Sequence, residues 1–89
     1  MSKTRAYSDE TKDIMRRYFE AVDKAVELKR IKLIRSFCVN NGIVPEAIYR
    51  QRMNQACGFF EVASLVPLVR DSNVSSSWLL TGVGSMFNC

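Results

Sequence analysis

The chain has 89 residues, a formal charge of +4 and no histidine. Hydrophobic residues make up 47% and charged residues 25%, a balance that excludes disorder and suits one modest core. Four glycines and two prolines are too few for a turn-rich β fold, and the longest apolar stretch, Val62–Val69, holds Ser64 and Pro67 and is too short to span a bilayer.

Residues 1–8 form an expected flexible arm. Its polar opening, Met1 to Tyr7, lacks the apolar core of a signal peptide, so a cytoplasmic location is expected. Ser8 followed by Asp9 and Glu10 is a helix start: a capping hydroxyl, then acids in the positive first turn. Ile14, Tyr18, Val22 and Val26 recur at spacing four, with Met15, Phe19 and Leu28 widening the stripe. The pattern predicts an amphipathic helix over about residues 9–28.

Lys29 to Lys32 is an expected break. A short helix follows from Leu33 to about Asn40, and Asn40-Asn41-Gly42 stops it because Asn and Gly tolerate the left-handed conformation. Pro45 suits the first turn of a third helix over about residues 45–53. Residues 54–59 are expected to loop. Phe60 to Arg70 is drawn as a fourth helix, kinked or shortened by Pro67. One of Ser75–Ser77 caps a last short helix carrying Trp78, Leu79 and Leu80, all expected in the core, and Gly82 and Gly84 end it. The fold class is therefore all-α: a compact bundle of about five helices, with one domain over 9–84 and a tail over 85–89.

Three cysteines, Cys38, Cys57 and Cys89, are widely spaced with no Cys-x-x-Cys, which argues against a disulfide framework or a zinc site. Cys38 is expected as a core filler. Without histidine, a Gly-rich phosphate loop or a metal-ligand cluster, no catalytic chemistry, cofactor or small-molecule substrate is expected. The charge is uneven. Lys29, Arg30, Lys32, Arg35, Arg50 and Arg52 face one acid, Glu46, giving the stretch +5, which suits a polyanion unless it is only a solvated face.

Helix, Asn-Asn-Gly turn and short helix together resemble the helix-turn-helix of the lambda-repressor-like regulators, over residues 34–53. Cys38 falls on the small residue where two helices touch, Gly42 on the turn glycine, and Ile43 and Ile48 on the apolar anchors. Trp78-Leu-Leu-Thr-Gly82 resembles the segment that closes many such domains, and Gly84-Ser-Met-Phe87 is similar to that of Bacteroides-type members. Three positions depart from the pattern: Asn41 and Gln51 stand where the family has apolar residues, and Ile34 where a phosphate-contacting Gln often opens the second helix.

The resemblance implies a small transcriptional regulator that binds double-stranded DNA, as a homodimer. Val44, Pro45, Glu46, Tyr49 and Arg50 would read bases in the major groove. Lys29, Arg30, Lys32, Arg35 and Arg52 would contact phosphates, with Lys32 or Arg35 replacing the missing Gln. Glu46 on the reading face, and polar Asn41 and Gln51, keep open an alternative: a protein-interaction module that retains the fold without binding DNA.

Overall fold

A computed structural model describes residues 7–54 and 60–88. The Tyr7 hydroxyl accepts a hydrogen bond from the Phe60 amide at 3.1 Å. Helix α1 follows over Asp9–Glu27, and the Ser8 hydroxyl accepts from the Thr11 amide at 3.2 Å. Met15, Tyr18, Phe19, Ala21, Val22 and Ala25 are buried along one stripe of α1. Two alanines in that stripe keep its surface low, so neighbouring elements can approach closely.

The end of α1 is reversed at Lys29, which takes a left-handed φ of 63°. That turn lets the Arg30 and Ile31 amides both donate to the Ala25 carbonyl, satisfying a helix-end acceptor. Ile31 is thereby buried. Helix α2 runs over Ile34–Asn40 and buries Phe37 and Cys38. Burial, with the charge of Glu46 second, pushes the Cys38 thiol above its ordinary range, which suits an inert core residue.

Gly42, at φ 70°, makes the turn into helix α3, Pro45–Met53, and the Ile43 amide donates back to Cys38 at 2.8 Å. The boundaries of α2 and α3 agree closely with the sequence expectation. The fourth helix does not. A 3₁₀ turn over Val62–Leu65 leads into a short helix α4, Val66–Asp71, with Pro67 in its first turn. Proline inside one continuous helix would remove a donor and clash with the carbonyl four residues earlier. Breaking the segment just ahead of Pro67 avoids both costs.

Helix α5 spans Ser76–Thr81, with the Ser75 hydroxyl accepting from the Trp78 amide and left-handed Gly82 closing it. Leu79 is buried, Trp78 is half-buried against the core, and Leu80 is half exposed, so only Leu79 fully meets the core expectation. Arg17 reaches from α1 to the end of α5. Its Nε donates to the Leu79 carbonyl at 2.8 Å and its Nη2 to the Leu80 carbonyl at 3.1 Å, placing a cation where helix carbonyls gather.

Residues 85–88 are held against the body, where the sequence suggested a trailing tail. Phe87 forms an antiparallel bridge with Val74, the Ser75 amide donates to Met86, and the Asn88 amide donates to Asn73. Asn73 takes a left-handed φ of 60° and its side-chain amide donates to the Asn88 carbonyl. Five α-helices and no extended strand make up the described residues, an all-α bundle around α1.

Two outcomes follow. Arg17→Ala removes two charge-assisted bonds and lowers unfolding free energy by about 1–2 kcal/mol in urea titrations, with Arg17→Lys recovering only part. A chain ending at Ser85 loses the packing of Met86 and Phe87 and unfolds about 2 kcal/mol more easily, whereas a free tail would cost nothing.

Candidate nucleic-acid interface

The turn after α2 brings α3 against it, and the period of α3 then sorts its residues. Pro45, Ile48 and Gln51 recur every three positions and are buried. Glu46, Tyr49, Arg50 and Met53 recur at three and four on the opposite side and are exposed. Val44, just ahead of the helix, is 61% exposed. Of the five residues expected to read bases, the structure exposes Val44, Glu46, Tyr49 and Arg50 together. Pro45 is a correction: it shares the inner stripe with Ile48, so its ring packs inward. Tyr49 stands 42% exposed.

The basic residues divide. Arg35 forms an ion pair with Glu46 at 3.6 Å, so the acid on the outer face carries its own counter-charge. Both groups are mostly exposed, and such a pair contributes little to stability. Arg52 is turned away from α3's outer face. Its guanidinium pairs with Asp23 of α1 at 2.8 Å and lies over the Phe19 ring at 5.8 Å, so it joins α3 to α1.

Arg30 is also engaged. It donates to the Ser72 carbonyl at 3.1 Å and stacks 4.5 Å from the Phe87 ring centroid, linking the α1–α2 loop to the C-terminal segment. Lys29, Lys32 and Arg50 are exposed and have no ion pair among the described residues. Lys32 shares a shallow cleft with Arg30, Ser36, Asn41 and Arg70. Arg70, absent from the sequence expectation, donates to both oxygens of Asp71 and to Asn41 Oδ1 at 3.3 Å. Those hydrogen bonds, with burial opposing them, hold the Asp71 carboxyl below its usual range.

The two polar departures resolve differently. Asn41 sits half-buried at the end of α2, and its Nδ2 donates to the Phe37 carbonyl at 2.8 Å. It caps α2 and contacts Arg70, a role an apolar residue cannot fill. Gln51 is 2% exposed, and its Nε2 is buried without a hydrogen-bond partner. Its inward position was readable from the three-residue spacing to Pro45 and Ile48. The Asn41–Arg70 contact joins positions 29 apart, and no local pattern announces it.

A buried donor without a partner costs about 1–3 kcal/mol. Gln51→Leu therefore raises unfolding free energy by about 1 kcal/mol in chemical denaturation, and a loss of stability would show that the amide is satisfied in solution. No protein-family model, no curated protein and no solved structure matches this chain.

Proposed function

We propose that the chain binds double-stranded DNA as a small transcriptional regulator, with α3 entering the major groove. The observation that carries this reading is the outer stripe of α3: Glu46, Tyr49 and Arg50 stand exposed on one side, and Arg50 has no acid partner among the described residues. A guanidinium there reaches guanine O6 and N7 in a two-bond contact, and the Glu46 carboxylate accepts from cytosine N4 once Arg35 releases it or bridges to phosphate. Tyr49 and Val44 supply apolar contact to thymine methyls.

Lys29 and Lys32 serve as the phosphate contacts, with Arg35 contributing when it turns from Glu46. Arg30 and Arg52 are committed to the fold. A small regulator of this size binds as a homodimer on paired half-sites about 34 Å apart, and works in the cytoplasm without a cofactor or a catalytic role.

One observation favours a second reading. Val39, Val44 and Met53 are all more than half exposed, Met53 at 90%, around the same two helices. Apolar surface of this kind suits a protein partner better than phosphate.

The two are separated by anisotropy with duplexes selected from a random pool. Arg50→Ala weakens the selected duplex by about 10- to 100-fold and barely affects random duplex. Lys32→Ala weakens both alike and lowers the slope of log affinity against log salt by about 1. If no duplex binds at low salt, while a cellular partner survives nuclease treatment in a pulldown, the interaction module is the function.

A further inference from the structure

The α1–α2 loop, α2 and the end of α4 border a shallow cleft, and three cations line it: Arg30, Lys32 and Arg70. Arg30 and Arg70 stand 40 positions apart in the chain, so the fold gathers them and no local run of charge does. Asp71 is the one acid of the lining among the described residues, and both its oxygens accept from Arg70. Three cations against one carboxylate leave the cleft with a net charge of +2.

The cleft also has more donors than acceptors. Asp71 and Asn41 Oδ1 hold the Arg70 guanidinium through Nε and Nη2, which leaves both Nη1 protons without an acceptor among the described residues. Asn41 is itself fixed, because its Nδ2 donates to the Phe37 carbonyl. The Arg70 side chain is 60% exposed, so a ligand can reach it. Arg30 is tethered by the Ser72 carbonyl and the Phe87 ring and adds a cation held in place. Lys32, Ser36 and Asn40 are exposed, and their side chains have no hydrogen bond or ion pair among the described residues. Ser36 and Asn40 lie four apart, on one face of α2.

We propose that this cleft binds a phosphate group, with Arg70, Lys32 and Ser36 as its contacts. The positive charge selects an anion. Donors arriving from a loop and two helices select one whose oxygens point in several directions, as those of a phosphate do and the two of a carboxylate do not. The planar guanidinium edge suits phosphate oxygens, and charge makes these hydrogen bonds strong. At about 540 Å³ the cleft falls in the size range of small-ligand sites, so a phosphate enters with the rest of its molecule attached. That phosphate belongs to a nucleic-acid backbone or to a small phosphate compound, since the same donors serve both. Arg70 lies outside α2 and α3, and its role does not require α3 to read bases.

The test titrates the full-length ¹⁵N-labelled protein with inorganic phosphate, with acetate at equal ionic strength as comparator. Phosphate is expected to give saturable shifts of the Arg70 Nε and Asn40 side-chain amide peaks, and acetate none. Arg70→Gln and Lys32→Gln each weaken phosphate binding about tenfold. A duplex of random sequence then identifies the source. Weaker duplex binding by Arg70→Gln, with a salt slope lower by about 1, assigns the cleft to a DNA backbone. Unchanged duplex binding beside lost phosphate binding assigns it to a small phosphate compound. Unmoved peaks with phosphate, an equal response to acetate, or undiminished phosphate binding by either variant overturns the proposal. If Arg70→Gln fails to fold, Lys32→Gln decides, because Lys32 has no partner within the described fold.

Discussion

The structure depends on the burial of one stripe of α1. Met15, Tyr18, Ala21 and Ala25 are fully removed from solvent, and Phe19 and Val22 nearly so. A chain of this size has little apolar surface to spare, so the other elements are arranged to cover that stripe. Tyr18 shows how closely. Its ring meets Phe19 and Phe60 edge-on at 5.4 and 5.3 Å, and its hydroxyl is buried without a partner. Burial, the larger cause, raises the phenol well above its ordinary range. Cover for α1 is drawn even from residues near the ends of the described chain: Tyr7, Met86 and Phe87 all pack against the core.

The same economy governs charge. A stretch with six basic residues and one acid looks like a uniform positive surface when written as a sequence. Folding divides it. Arg52 is drawn to Asp23, Arg30 to Ser72 and Phe87, and Arg35 to Glu46. Each arginine uses its planar head and long stem to join elements, which a lysine does less well. The basic residues of that stretch left with neither an ion pair nor one of these contacts among the described residues, Lys29, Lys32 and Arg50, are spread over the α1–α2 loop and α3. The field available to a polyanion is therefore narrower than the charge count implies, and more dependent on geometry.

On α3 the inner and outer faces have different demands. The outer face mixes a paired acid, an unpaired arginine, an aromatic ring and an exposed methionine. The inner face closes on the core through Pro45 and Ile48 but carries Gln51 where a hydrocarbon side chain would pack with no polar cost. Asn41 shows that a polar residue in this region is tolerated when the backbone supplies an acceptor. Gln51 has the opposite circumstance: its side-chain nitrogen is buried with no acceptor among the described residues.

The sequence by itself determined the helices and most of their ends. The Ser8 and Ser75 caps, the Gly42 turn and the start of α3 at Pro45 are local devices, set by neighbours within four residues, so they are legible in one dimension. It also determined which side of α3 carries Glu46, Tyr49 and Arg50, because helical period is a property of the chain. Tertiary structure alone decided the rest. The pairing of Arg52 with Asp23, of Asn41 with Arg70, and of Phe87 with Val74 joins residues far apart in sequence. Such contacts are chosen by which side chains lie within a few ångströms once the α1 stripe has been covered, and no local pattern encodes that distance.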